Sequence, residues 1–544
     1  MTMMDVQLTS RLLLAHADRH HRDVEIVSRF AGGQVRRTTY AEFASRTRRL
    51  MNALDSLGIE AGARVATLAW NHHRHLECYF GIPGTGRMIH TLNLRLSPAE
   101  LAYIIDDAND RVILVDPDLL PLLEQVDALG GLGGVSHVIV LSDTVPASSL
   151  RDVVAYESLL AAQPDTYDEP EIDERTPLGI CYTSGTTGRP KGVVYTHRSV
   201  VLHTMAVSSA AGVGIGPSDC VLPVVPMFHA MAWGMPHAAV AVGAKLVFSA
   251  GPLEAGPLVD LLVDEEVTIS GGVPTVWIAA ADELAARGVR LPAMRHLVCG
   301  GSQPPRPLIE RFLREFGLPV IQAWGMTETS PLASMAWPHH ALRNLPDDEV
   351  TTRARCQAGL PIPGVDLSIR DAEGKEVPPD GETMGDLWVR GPWVAESYWK
   401  GAGAECFQDG WFRTGDVAVA SPDGYFVIAD RSKDLIKSGG EWISSVDMEG
   451  DIMAMPDVVE AAVVAIPDSK WQERPLAVVV PRSGATVTLD GVRAHLESRG
   501  WARWQLPDRV EVVEEVPRTS VGKFDKKAVR ARYASAAVPA GGGD

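Results

Sequence analysis

Apolar positions recur at helical spacing between Tyr40 and Leu57, with Tyr40, Phe43, Ala44, Leu50, Met51, Leu54 and Leu57 on one face before Gly58. Thr39 and Glu42 bracket the start as a capping box, so the pattern predicts an amphipathic helix with both ends marked. A predicted strand, Arg64 to Trp70, follows. Ser97, Pro98, Ala99 and Glu100 then open a second capped helix, and Val112 to Val115 reads as a buried strand. The alternation runs on through Lys245 to Ser249 (strand), Pro257 to Glu266 (helix), Leu297 to Cys299 (strand) and Pro305 to Phe316 (helix). Helices alternating with apolar strands predict a layered α/β domain. No internal repeat or long low-complexity segment interrupts the pattern.

After about Gly359 the texture changes to short alternating runs with turn signals: Val365 to Arg370, Gly385 to Arg390 and Tyr425 to Ala429, separated by Asp371 to Gly374 and Ser421 to Gly424. This predicts a small β-rich subdomain. The segment Asp430 to Glu441 is charged and contains glycine, which places an interdomain hinge there. Helix and strand signals then continue to about Tyr533, and AVPAGGGD reads as a disordered tail.

The chain has 544 residues, above the size at which one hydrophobic core stops growing, which predicts at least two domains. Its formal charge of −19 argues against broad attachment to nucleic acid or to an anionic membrane. Cys78, Cys181, Cys220, Cys299, Cys356 and Cys406 lie far apart with no CxxC pair, so neither a disulfide framework nor a zinc cluster is predicted. The N-terminus carries an apolar run of only four residues. The most apolar window, Ala230 to Ala244, is shorter than a membrane span. These features predict a cytoplasmic protein without integral membrane association.

Candidate chemistry is concentrated in a few segments. YTSGTTGRPKG, Tyr182 to Gly192, follows the strand-like run Leu178 to Cys181. A loop rich in Gly, Ser and Thr turns backbone N–H groups and hydroxyls onto phosphate oxygens, and Lys191 adds a point charge. By itself the same run reads as a surface loop. It is not a nucleotide P-loop, which would need glycine at Pro190, and Gly212, Gly214 and Gly216 miss the dinucleotide-binding spacing. QAWGMTETSP places a hydroxyl, Thr327, beside a carboxylate, Glu328; the pair suits phosphate and Mg²⁺, or equally a helix start. GWFRTGD ends in Asp416, a carboxylate for two ribose hydroxyls or a turn cap. DRSKDLIKSGGEWISS gathers Arg431, Lys433 and Lys437. PRTSVGKFDKK puts Lys523 on a loop or in a solvated basic tail. His72, His73 and His75 have no carboxylate at metal-ligand spacing.

In this order the segments resemble the adenylate-forming superfamily of acyl-CoA synthetases, luciferases and peptide-synthetase adenylation domains, over nearly the whole chain from the Thr39 helix to Lys527. NHHRHLECYFGIPGTG, PMFHAMAWGMPHAA, KSGGEWISSVDME and EEVPRTSVGKFDKK are similar to the medium- and long-chain fatty-acid CoA ligase branch, which also contains 3-methylmercaptopropionate-CoA ligases. The resemblance implies an α/β fold with a large N-terminal domain of layered α/β subdomains plus a β-rich subdomain (residues 1–431). A hinge (432–434), a small mobile α+β C-terminal domain (435–535) and a tail (536–544) would follow.

It also implies the reaction: the acid carboxylate attacks the α-phosphate of ATP, giving acyl-AMP and pyrophosphate, and the thiol of coenzyme A then displaces AMP. Thr183, Ser184, Gly185, Thr186, Thr187, Gly188 and Lys191 would cradle the β- and γ-phosphates. Glu328, with Thr186, would hold Mg²⁺; Thr327 would bond the α-phosphate; Lys523 would bridge carboxylate and α-phosphate. Asp416 and Arg431 match the ribose positions, and Gly301, Ser302, Gln303, Pro304, Trp324 and Gly325 the adenine pocket. Trp324 stands where much of the superfamily has Tyr. Rotation about Lys433 would exchange Lys523 for the loop Lys437 to Glu441, with Gly440 along the pantetheine, Lys437 assisting thioester formation, and Glu441 and Trp442 beside them. His229 resembles the residue between the carboxylate and CoA channels, and Trp233 a gating tryptophan. The Met227, Phe228, Met231, Trp233 and Met235 cluster reads otherwise as core. Gln472 stands where the branch often has Gly, and Arg503 and Gln505 where it often has Lys and an aromatic. A homodimer is implied by resemblance only. An adenylate-forming enzyme with another acceptor and a non-catalytic ATP-binding protein are the alternatives. A carrier domain has no room after Tyr533, and five intact motif residues (Lys191, Glu328, Asp416, Arg431, Lys523) weigh against a mere scaffold.

Overall fold

The apolar run ending at Cys181 forms the strand Pro177–Tyr182 in a seven-stranded sheet. A computed structural model describes residues 2–183, 189–438, 441–468, 470–519 and 524–533. From one edge that sheet runs Val153–Ala155, His137–Val140, Asp110–Val115, Arg64–Leu68, Met88–Thr91, Pro177–Tyr182, Gly192–Thr196, parallel except for the last pair. The stretch Val112–Val115 of its strand is buried along its whole length, which is why it reads as a continuous rather than an alternating apolar run.

A nine-stranded sheet is ordered Leu360–Pro361, Leu332–Met335, Val320–Gly325, His296–Cys299, Ile269–Gly272, Cys220–Pro223, Lys245–Ala250, Glu25–Phe30, Val35–Thr39. It is parallel at its centre and antiparallel at both ends. The helix Tyr40–Ser56 buries Phe43, Leu50, Met51 and Leu54. Its cap is one-sided: Thr39 Oγ1 accepts from Glu42 N, while the Glu42 carboxylate is drawn to Arg36. At the helix Pro98–Ala108 both halves of the box form between Ser97 and Glu100.

Two expectations shift for local reasons. The strand Arg64–Leu68 stops short of Trp70 because the Asp116 carboxylate accepts from Trp70 N at 2.8 Å and turns the chain. The expected helix Pro305 to Phe316 is α-helical over Arg306–Arg311 and widens over Phe312–Phe316, with Phe312 fully buried.

Beyond Gly359 an antiparallel sheet contains Asp366–Arg370, Met384–Arg390, Phe407–Gln408, Trp411–Ala420 and Phe426–Arg431. A turn in which Asp434 N and Leu435 N donate to Arg431 O leads into a further sheet. That sheet contains Ile436–Ser438, Glu441–Ile443, Val458–Asp468, Gln472–Pro481 and Arg509–Val512. With the helices Ser445–Met453, Leu489–Ser498 and Lys526–Tyr533 it encloses cores of its own around Met448, Ile452, Val479 and Leu496. The molecule is therefore α/β, with a large N-terminal and a small C-terminal domain. The expected tail, 536–544, lies outside the described residues.

Candidate active site

The loop after Tyr182 is pinned at its base. Thr183 N donates to Lys191 O at 2.9 Å, and Tyr182 Oη donates to Asp107 Oδ2 at 2.6 Å. Gly192 opens the return strand where no side chain fits: a Cβ there would come within 2.8 Å of Ile180 Cδ1 and 3.0 Å of Trp399 Cβ. Ser184, Gly185, Thr186, Thr187 and Gly188 lie outside the described residues, as do Gly440 and Lys523.

Across from Lys191, the strand Val320–Gly325 delivers Trp324 and Gly325, and the tight turn Thr327–Thr329 follows. That turn is fixed by its carbonyls: Thr327 O accepts from Tyr195 Oη at 2.7 Å, and Glu328 O accepts from Ala395 N at 2.7 Å. The Glu328 side chain is buried and receives the Tyr398 hydroxyl on Oε1 at 2.5 Å. Lys191 Nζ lies 4.9 Å from the centroid of the same Tyr398 ring.

Asp416 and Arg431 sit opposite one another across two antiparallel strands, and register alone brings them together: Arg431 Nε to Asp416 Oδ1 is 2.7 Å. The other Asp416 oxygen, Oδ2, accepts from Trp324 Nε1 at 3.1 Å, and the carboxylate is 2% exposed. Trp324 is thus a hydrogen-bond donor as well as a flat face, held edge-on to Phe426.

Most of these groups surround a cavity of about 370 Å³; Asp416 is not in its lining but bonds Arg431 and Trp324, which are. Thr183, Lys191, His229, Trp233, Gly301, Trp324, Gly325, Thr327, Glu328, Arg431 and Lys433 all line it, although they come from segments spread over most of the chain. Burial, against the pull of Asp434, lowers the pKa of the Lys433 ammonium. On the apolar side the wall is Val213, Met235, Val298, Ala323 and Leu332. Ser302, Gln303 and Pro304 follow Gly301 but are not part of the lining.

His229 and Trp233 reach the cavity through an unusual turn. Ala230, Met231, Ala232, Trp233 and Gly234 all have positive φ, between 42° and 72°. Left-handed backbone costs an L-residue roughly 1–2 kcal/mol, so four consecutive non-glycine residues in it must be held there by the surrounding packing. The turn lays Trp233 against glycines: a Cβ on Gly300 would sit 3.0 Å from Trp233 Cη2.

Lys437, Glu441 and Trp442 are not in the cavity lining; they form the outer edge of the C-terminal sheet. Lys437 Nζ lies 5.3 Å over the Trp442 ring, and Lys437 N donates to Glu473 Oε2 at 2.8 Å. Trp442, Trp471 and Trp504 are 45%, 42% and 43% exposed. Ser438 pairs with Glu441 and Gln472, and Arg474 donates to Ser438 Oγ and Trp504 O, which gathers the segments of all three indoles around one guanidinium.

The sequence reading did not single out Tyr398, which contacts both Lys191 and Glu328, or Asp107, which accepts from Tyr182 at the loop's base. ESYWKG carries no motif at that point, and their roles arise from contacts between distant segments. Among the described residues no group of three or more His, Cys, Asp or Glu is arranged to hold a metal ion, and no helix is long and apolar enough to cross a membrane. His72 does have a carboxylate, Asp116, at 2.9 Å, brought from the next strand.

Residues 13–399 match the AMP-binding enzyme family and residues 447–523 the AMP-binding enzyme C-terminal domain. The chain is 50% identical over 535 residues to a long-chain-fatty-acid–CoA ligase of Thermus thermophilus, covering 98% of this chain and 97% of that protein. It is 41% identical to a 3-methylmercaptopropionyl-CoA ligase of Ruegeria lacuscaerulensis, covering 98% and 99%. The fold is similar to that of an anthranilate CoA ligase in complex with anthranoyl-AMP, at a TM-score of 0.87 and 25% identity, covering 98% and 99%.

Proposed function

The chain belongs to the AMP-binding enzyme family, and from that membership we propose how this cavity serves an AMP-forming acid–CoA ligase and which acids it takes. The observation that carries the reading is the convergence of Lys191, Thr327, Glu328, Trp324 and Arg431 on one cavity, the last two both bonded to Asp416.

In the first half-reaction a carboxylate oxygen of the acid attacks the α-phosphorus of ATP, and the bond to pyrophosphate breaks. Anions must be brought together, so positioning and charge neutralisation dominate. Lys191, with the loop 183–188, holds the β- and γ-phosphates; the Thr327 hydroxyl bonds the α-phosphate; Asp416, oriented by Arg431 and Trp324, accepts the ribose hydroxyls. The adenine lies along Trp324, and Lys523 approaches from the C-terminal domain. One carboxylate beside a phosphate site fits Mg²⁺, which usually takes one or two carboxylates plus substrate phosphates; Glu328, with Thr186, would hold the ion, which would supply charge to neutralise the pyrophosphate leaving group.

In the second half-reaction the CoA sulfur attacks the acyl carbonyl and AMP leaves. A rotation about residues 432–434, between domains 1–431 and 435–535, brings the Lys437 to Glu441 loop to the site in place of Lys523. The indole and ammonium groups at Trp442, Trp471, Lys437 and Lys470 support that edge as the CoA face, because stacked bases and phosphates suit them.

His229 lies between the carboxylate and CoA channels, and Trp233 closes the apolar end. The acid is a fatty acid or a short thioether acid such as 3-methylmercaptopropionate, supported by the apolar wall and by the two relatives' substrates. A homodimer is supported by an apolar groove containing Leu12 and Met205, 40% and 56% exposed. A cytoplasmic setting is supported by free thiols throughout.

The test incubates the protein with ATP, Mg²⁺ and CoA and, separately, 3-methylmercaptopropionate, butyrate, octanoate, palmitate or benzoate, following AMP and acyl-CoA by mass spectrometry. AMP with a thioester on the fatty or thioether acids is the expected result. Thioester on benzoate alone overturns the acid assignment, and AMP without thioester moves the enzyme to another acceptor.

A further inference from the structure

One of the cations lining the cavity and its carboxylate, Glu328, approach one side chain. Lys191 sits over the face of Tyr398, and Glu328 accepts from its hydroxyl. Tyr398 is buried, packed edge-on to Phe407 and Phe412 with ring centroids 5.4 and 6.3 Å away.

The backbone around it is anchored to the loop that carries Lys191. Trp399 Nε1 and Lys400 Nζ donate to Asp107 O at 3.2 and 2.7 Å, and the Asp107 carboxylate accepts from Tyr182 at the loop's base. Gly403 completes the arrangement: a Cβ there would come within 2.5 Å of Lys191 Nζ and 3.0 Å of Tyr398 Cδ2.

We propose that Tyr398 is a positioning residue that holds Lys191 and Glu328 apart and separately aimed, leaving the ammonium for phosphate oxygens and the carboxylate for Mg²⁺. The inference rests on the ligase reading of this cavity. Opposite charges attract more strongly in a partly buried site than in water. With nothing between them, an ammonium and a carboxylate close into an ion pair that serves neither ligand. The phenol satisfies each alone, its π face for the cation and its hydroxyl for the anion. It occupies one lone pair of Oε1 and leaves the remaining carboxylate sites open.

The test is calorimetric titration of ATP into the full-length protein, once in EDTA and once in excess Mg²⁺. Tyr398→Phe keeps the ring and its packing but loses the hydroxyl. Its ATP affinity in EDTA is expected to stay near the parent's, while the gain in affinity on adding Mg²⁺ falls about tenfold, the scale of a lost hydrogen bond to a charged group. Tyr398→Leu removes the seat of Lys191 as well, and its affinity is expected to fall in EDTA too. A Phe variant with the parental gain from Mg²⁺ overturns the inference, and it decides the matter alone if the Leu variant does not fold. A parent protein that binds no ATP under either condition overturns instead the reading of the cavity.

Discussion

Asp416 shows how much of the chemistry is settled one residue at a time. Its oxygens bond Arg431 and Trp324, so a substitution at Trp324 acts on Asp416, the proposed ribose ligand, as much as on the proposed adenine contact. Trp324→Phe keeps an aromatic face but leaves a buried carboxylate oxygen without its donor, a loss of about 1–3 kcal/mol. We expect AMP affinity to fall about tenfold by calorimetry, and much less for a 2′,3′-dideoxy nucleotide. Equal losses for the two nucleotides would place the effect in stacking. Sequence reasoning places an aromatic at Trp324 where related sequences often have Tyr; the indole N–H bond is not legible there, because its partner, Asp416, lies on a strand of the β-rich subdomain.

Among the elements, the strands, helices and caps were readable because periodicity and turn chemistry are local. The left-handed turn Ala230 to Gly234 was not: four of its residues carry a Cβ, and nothing in AMAW announces positive φ. A second such position was readable in outline. Gln472 stands where related sequences often have Gly, and its φ is +71° at the start of the strand Gln472–Pro481. Relief of left-handed strain is about 1–2 kcal/mol, partly offset by the greater freedom of an unfolded glycine. Gln472→Gly is therefore expected to stabilise the C-terminal domain by about 0.5–1 kcal/mol, visible as a raised melting temperature; a lowered one would contradict the strain.

For the whole molecule the junction between domains decides behaviour. Lys526 Nζ bonds Glu449 at 2.8 Å and Ser445, Asp430 caps the helix Ser445–Met453 through Ser445 N, and Arg530 pairs with Asp434. Burial, partly offset by Lys526, pushes Glu449 up from 4.5 to about 7. Across that window the folded protein holds a proton the unfolded chain has released, so stability falls as pH rises from 4.5 to about 7. Glu449→Gln is expected to flatten this part of the curve in denaturant melts at successive pH values; an unchanged slope would assign it elsewhere. If the junction is also the hinge, Lys433→Pro, by fixing φ, should spare acyl-AMP formation and slow thioester formation on the order of 10²-fold in single-turnover assays. Equal loss of both half-reactions would count against the hinge.

The sequence by itself determined the layered α/β architecture, the change to β-rich texture near Gly359 and the order of the motif segments, because periodicity, caps and glycine-rich loops are written in adjacent residues. Only the tertiary structure decided which groups face one another: Trp324 with Asp416, Tyr398 with both Lys191 and Glu328, and Asp107 with the loop's base. Those contacts join residues far apart in the chain, and a hydrogen bond or a cation over a ring depends on distances of a few ångströms that strand order and register set and residue spacing does not encode.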